Sequence, residues 1–221
     1  MRVLILGGTT EARELKEALG DRAVLALKRT TAFGGAHGLD AYVHEHGITH
    51  IVDATHPFAT QISANAAHAS AQLIRLQRPP FPPRPEYTYV DSLREADIPD
   101  DARVFLTTGH HEIETLREHP AFFLIRAITP PAPLPPHHEL LLEQGPFSLD
   151  HELQLIRTHR LTHLISKDSG GPHPKLEAAR REHLAVTLIG RPPALRADAT
   201  VTSVQEALAL LRSDRQPRAA T

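Results

Sequence analysis

An α/β protein, built as two Rossmann-like domains with mainly parallel sheets and a ligand cleft between them, is what this sequence predicts. Short β-branched or leucine-rich runs recur along the chain, each followed by glycine or polar residues and then by a stretch with helical spacing, the pattern of successive βα units. Glycine-bearing segments stand directly after several of those runs. The composition, 41% hydrophobic and 23% charged over 221 residues, is that of a globular chain able to bury a sizeable core.

Taken in order, strands are predicted near residues 2–6, 23–27, 49–53 and 73–76, and a second series near 103–107, 122–126, 139–142, 163–167 and 185–189. The acidic stretch DSLREADIPDDA, residues 91–102, reads as a helix followed by a turn and marks the expected boundary between the series. Two domains of comparable size follow: 1–96, a Rossmann-like dinucleotide-binding domain, and 97–212, a second α/β domain, with 213–221 a polar tail expected to fray. The 19 prolines, about twice the usual share, cluster at 78–85 and 129–136 and read as stiff polyproline connections.

Composition also excludes whole classes of function. A formal charge of −2 offers no bulk electrostatic footprint for nucleic acid or an anionic membrane. No run approaches the roughly 20 apolar residues of a membrane span, and MRVLILGG is too short for a signal peptide. With no cysteine, disulfides, thiolate metal cages and a cysteine nucleophile are ruled out, and a reducing cytoplasm is the expected location. Sixteen histidines invite a metal site, but none stands in an H-E-x-x-H arrangement, so no metal is expected. A G-x-S-x-G nucleophile elbow and a Y-x-x-x-K pair are both missing from the sequence.

The loops carry the chemistry. After the first strand, Gly7-Gly8-Thr9-Thr10-Glu11-Ala12-Arg13 opens a helix with Ala12, Leu15, Ala18 and Leu19 on one face. Glycines let the backbone approach a pyrophosphate, and N–H groups at the helix start attract its charge, although threonine stands where the dinucleotide fingerprint has its middle glycine. An ordinary tight βα turn explains the same residues. After the second strand come Lys28-Arg29-Thr30-Thr31, a base and hydroxyls suited to a 2′-phosphate, which favours NADPH over NADH if a dinucleotide binds.

The third strand ends in Asp53-Ala54-Thr55-His56-Pro57-Phe58-Ala59, with Pro57 expected at the first helical position and Phe58, Ile62, Ala66 and Ala69 as the buried stripe. In the second half, Thr107-Thr108-Gly109 and Gly145-Pro146-Phe147-Ser148 follow strands, Ser148 being a plausible N-cap. Lys167-Asp168-Ser169-Gly170-Gly171-Pro172-His173-Pro174-Lys175 places two lysines, a hydroxyl and paired glycines before a helix, a good anion nest without P-loop spacing.

Together GGTTEAR (7–13), FGGAHGL (33–39), DATHPFA (53–59), TTG (107–109), GPF (145–147), KDSGG (167–171), KLEAAR (175–180) and RP (191–192) resemble the precorrin-6A reductase family of cobalamin biosynthesis over roughly residues 1–208. The resemblance implies reduction of one double bond of a corrin precursor by NADPH, or NADH in some members, in the cleft between two α/β domains. The family's usual Ala-Gly-Arg after its second strand is Leu27-Lys28-Arg29 here, and Phe81 stands where tryptophan is common.

On this resemblance Gly7, Gly8, Thr9, Thr10, Glu11, Arg13, Arg29, Thr30, Asp53, Ala54 and Thr55 are expected to bind cofactor. Pro57, Phe58, Gly109, Gly145, Pro146, Phe147, Ser169, Gly170, Gly171 and Lys175 are expected to bind a polycarboxylate tetrapyrrole, and His56 and Lys167 to deliver a proton or polarise a ring nitrogen. The partner expected is the small-molecule tetrapyrrole, with neither nucleic acid nor membrane; the oligomeric state is left open, a monomer being plausible. Two other readings compete: a cofactor-independent tetrapyrrole enzyme of the uroporphyrinogen-synthase type, which would not need the Gly7–Arg13 turn, and a non-catalytic nucleotide-sensing module, which would not need the KDSGG nest.

Overall fold

The structure, a computed structural model, describes residues 1–27, 33–110 and 112–213. It divides into two compact units, one formed by Met1–Pro79 with Pro192–Thr221, the other by Pro80–Arg191. The tail beyond 213 and the basic segment 28–32, with Arg29 and Thr30, lie outside the described residues.

In the first unit β1 (Val3–Leu6), α1 (Thr10–Leu19), β2 (Ala23–Ala26), α2 (Gly35–Glu45), β3 (His50–Asp53), α3 (Thr60–Ala67) and β4 (Gln72–Leu76) alternate strictly. The sheet is parallel, with β1 pairing both β2 and β3, and β4 pairing β3. Side-chain alternation gives each face its own core. Val3 and Ile5 pack with Ala12, Leu15 and Leu19 of α1, while Leu4 and Leu6 pack with Leu39 and Val43 of α2 and Ala66 of α3. Because both faces are covered, β1 reads as an unbroken apolar run.

The second unit holds β5 (Tyr87–Val90), β6 (Arg103–Leu106), β7 (Phe122–Ala127), β8 (His138–Leu142), α4 (Leu149–Thr158), β9 (His163–Lys167), α5 (Pro174–Arg181) and β10 (Ala185–Ile189). Its six parallel strands run in the order β5-β10-β9-β6-β7-β8. Leu153 and Ile156 of α4 and Leu176 and Ala179 of α5 cover Phe105, Leu124, Leu164 and Leu188. The chain then returns to the first sheet through β11 (Ala199–Val201), which pairs with β4, and α6 (Val204–Ser213), whose Ala207, Leu208 and Leu211 join the α1 core.

All nine strands expected from the sequence are present, and three corrections concern a boundary, a helix and a helix start. The boundary expected at 96/97 falls instead at Pro79/Pro80, with a return at Arg191/Pro192. The reason is the pairing of β5 with β10 and of β11 with β4, two short edge strands not read from the sequence. The stretch 91–102 contains only a 3-10 turn, Leu93–Glu95, inside the second unit. Pro57 is not the first residue of α3, which starts at Thr60: Ala59 N–H donates to His56 O and Phe58 N–H to His56 Nδ1, so a closed turn precedes the helix.

Candidate active site

The sheet order β11-β4-β3-β1-β2 reverses direction at β1, because β2 lies on one side of it and β3 on the other. In an open parallel sheet the crevice at such a switch point, outside the carboxyl ends of the strands, is where ligands bind. The two loops that leave this point are Gly7–Thr9 and Ala54–Ala59. They are tied to each other: Ala54 N–H donates to Leu6 O at 3.0 Å and Thr9 Oγ1 donates to Ala54 O at 2.8 Å. Thr9 Oγ1 also accepts Ala12 N–H at 3.2 Å, making Thr9 the N-cap of α1.

Gly8 holds φ at 131°, with no atom within 4 Å of where a Cβ would stand. Glycine is therefore required there by conformation, and the space beside it is open. Gly7 is closely packed: a Cβ there would meet Leu25 Cδ1 at 2.6 Å and Ala12 Cβ at 3.3 Å, so the leucine side chain would have to shift. The first-turn N–H groups of Thr10 and Glu11 have no intrahelical acceptor. Glu11 pairs with Arg78 through Oε1 at 3.4 Å, whereas its Oε2 is buried without a hydrogen-bond partner. Thr9, Glu11, Thr55, Pro57, Gln77 and Arg78 line one small pocket at this edge. Arg13 is exposed on α1.

Asp53 is spent on architecture. Only 3% exposed, it faces Arg75 across the register of β3 and β4, and Arg75 Nε donates to its Oδ2 at 3.4 Å. Its Oδ1 accepts Thr55 Oγ1 at 2.7 Å and Thr55 N–H at 3.2 Å. Arg75 in turn donates from Nη1 to Leu195 O. Sequence reasoning missed Arg75 because a lone arginine inside the strand QLIRL carries no motif. His56 and Phe58 stand side by side, ring centroids 5.7 Å apart, on the turn that follows.

The second unit repeats the logic. Its sheet reverses between β6 and β9, and the loops leaving these strands are Thr107–Gly109 and Lys167–Gly171. Thr107 N–H donates to Ile165 O at 3.0 Å, joining them. Asp168 fixes the second loop: its Oδ1 accepts Phe81 N–H at 2.9 Å, its carbonyl accepts Arg191 Nε at 2.9 Å, and its N–H donates to Ile189 O at 2.9 Å. Ser169 N–H folds back onto Lys167 O at 2.8 Å, and Gly170 and Gly171 follow at φ 66° and 75°, two positive-φ positions that glycine adopts without steric cost. Lys175 lies in the first turn of α5.

Gly145, Pro146 and Phe147 lie apart from this switch point, in the segment between the edge strand β8 and α4, which Ser148 caps by accepting His151 N–H. Phe147 rests on the guanidinium of Arg126, 3.8 Å from ring centroid to Cζ. Sequence reasoning missed Arg126 and Glu152. Thus the expected residues of 7–13 and 53–58 lie at the carboxyl edge of the first unit's sheet, and those of 109–175 fall on loops, a strand end and a helix start of the second.

A parallel sheet whose switch point presents a glycine turn and a hydroxyl-capped helix defines a Rossmann-like α/β class of protein. The profile of the precorrin-6x reductase CbiJ/CobK family matches residues 2–212. The chain belongs to that family, oxidoreductases of cobalamin biosynthesis acting on a CH–CH bond. It is 42% identical to a precorrin-6A reductase of Rhodococcus erythropolis, the alignment covering 94% of this chain and 96% of the relative. With the Rhodobacter capsulatus precorrin-6A reductase it shares 37% identity over 86% of this chain and 88% of the relative. A solved structure of CobK precorrin-6A reductase superposes with a TM-score of 0.89 at 33% identity, over 97% of this chain and 98% of that one.

Proposed function

We propose that this chain uses NADPH to reduce precorrin-6A, the macrocycle without cobalt. What carries the reading is the Gly7–Glu11 turn at the switch point: open space beside Gly8, first-turn N–H groups without an intrahelical acceptor and a buried Glu11 oxygen lacking a donor. These groups fit a dinucleotide. Backbone N–H groups of Thr10 and Glu11 would hold a phosphate, Arg78 offsets the Glu11 charge, and Glu11 Oε2 would accept a ribose hydroxyl. Relatives named precorrin-6A reductase are 36–42% identical, against 26–28% for those named cobalt-precorrin-6A reductase, which supports a metal-free substrate.

A reduced nicotinamide supplies the hydride when bound. The protein's own task is then to orient and shield, since a conjugated ring absorbs an electron pair without a nucleophile. Asp53 and Arg75 hold Thr55 and the His56 turn still. In the neutral His56 ring, Nδ1 accepts the Phe58 N–H, so Nε2 carries the proton and is its donor atom. Lys167, at the end of β9, and Lys175 supply cationic contacts for carboxylate arms, with the Ser169–Gly171 N–H groups beside them. The same reading makes the enzyme cytoplasmic, which cell fractionation checks.

Calorimetry with both coenzymes tests the preference. NADPH is expected to bind at least tenfold more tightly than NADH, and Arg29→Ala to remove most of that margin, because the 2′-phosphate loses a charge-assisted partner. Equal affinities in the unaltered protein would refute it.

A further inference from the structure

Arg126 and Glu152 form a buried ion pair that the reduction chemistry does not call for. Arg126 is 7% and Glu152 1% exposed, and the fork is bidentate, Nη1 donating to Oε1 at 2.8 Å and Nη2 to Oε2 at 2.9 Å. Such a pair is a poor investment in stability, because desolvating two charges offsets most of their attraction and apolar residues of equal volume do as well. What it does supply is a rigid, oriented plane.

That plane is used on its remaining sides. Phe147 lies over it at 3.8 Å and Phe105 packs on it at 4.7 Å. Glu143 approaches Nε with Oε2 at 3.5 Å, and the same Oε2 stands 3.2 Å from His151 Nε2. The His151 ring lies nearly parallel to Phe147, at 13° with centroids 5.8 Å apart. Both ends of the segment Glu143–Phe147 are therefore attached to one guanidinium, and α4 behind it is attached through Glu152. Ile128, just past the end of β7, and Leu142, at the end of β8, are 68% and 53% exposed, which gives the neighbourhood exposed apolar side chains.

We infer that Arg126 is a positioning residue for substrate: it clamps the Gly145-Pro146-Phe147 turn in the shape that receives the apolar face of the tetrapyrrole. This rests on the reading that the turn contacts the macrocycle. Lysine could not replace it, since an ammonium lacks both the fork and the stacking plane.

The test compares three full-length variants: Phe147→Leu, Arg126→Lys, and the paired replacement Arg126→Met with Glu152→Leu, which removes both charges together so that neither is left buried alone. Steady-state kinetics gives KM for precorrin-6A, KM for NADPH and kcat, and hydrogen exchange reads the peptide 143–150. All three variants are expected to raise KM for precorrin-6A about tenfold while KM for NADPH and kcat stay within about twofold, and both Arg126 variants are expected to lose protection in 143–150. If Phe147→Leu leaves KM for precorrin-6A unchanged, the turn does not touch substrate and the underlying reading fails. If Phe147→Leu raises it but the Arg126 variants change neither KM nor exchange, the turn stands and the clamp is overturned. A parallel loss in NADPH affinity and kcat in the Arg126 variants also overturns it, since a general structural role predicts that pattern. Should the paired replacement fail to fold, Arg126→Lys alone decides.

Discussion

Asp53 braces the loop that follows β3. Its two oxygens are divided between Arg75 and Thr55, so the carboxylate reaches the crevice only through the loop it holds. Removing it leaves Arg75 buried beside an empty partner, and breaking a buried pair from one side costs roughly 3–5 kcal/mol. Asp53→Ala is expected to lose about that much in urea unfolding, and a loss under about 1 kcal/mol would show that the pair is solvated. The two side chains proposed for proton delivery should matter less dramatically than that role suggests. If orientation dominates, His56→Ala and Lys167→Ala each retain single-turnover reduction within about four orders of magnitude of the unaltered enzyme, the upper range for a general acid. A greater loss in either would make that residue indispensable to bond formation.

Strand β1 was legible because burial on both faces forces every position to be apolar, and helix α1 because its apolar positions recur at helical spacing. β5 and β11 were not legible, for a different reason in each. β5, YTYV, is an edge strand only partly buried, following a proline run that signals connection; β11 is three residues long and gains its meaning from β4, far away in sequence. The loops of the site were legible as glycine, hydroxyl and lysine clusters after strands. Their supports, Arg75 and Arg126, were not, since one charge inside an apolar run has no local signal and its partner lies 22 or 26 residues away. Helix α5 carries a prediction of its own. Glu177 faces Arg180 and Arg181 one turn on, each at 2.8 Å, and hydrogen bonds from these guanidinium groups lower its pKa from 4.5 to about 2. A folded value below the unfolded one contributes stability that is complete above pH 4.5 and disappears as pH falls through about 2. Urea midpoints between these limits should therefore fall less steeply with acid in Glu177→Gln than in the unaltered protein, by a small margin because the triad is solvent-exposed; parallel curves would remove Glu177 from the account.

Across the whole chain, one architecture is used twice. Each unit is a parallel sheet with glycine-bearing loops at a switch point, and the chain leaves the first unit at Pro79-Pro80 and re-enters it at Arg191-Pro192. The similarity to CobK precorrin-6A reductase extends over nearly the full length of both chains, so family membership covers both units. On the proposed function, hydride passes directly from a reduced nicotinamide to a carbon of the macrocycle, with the protein orienting the two. The most direct test supplies NADPH deuterated at C4 on either face, in ordinary water, and follows the label into the reduced product by mass spectrometry. One face should deliver one deuterium per product molecule, at the newly saturated carbon, with one equivalent of NADPH oxidised. Reduced product that carries no deuterium from either face would contradict the account.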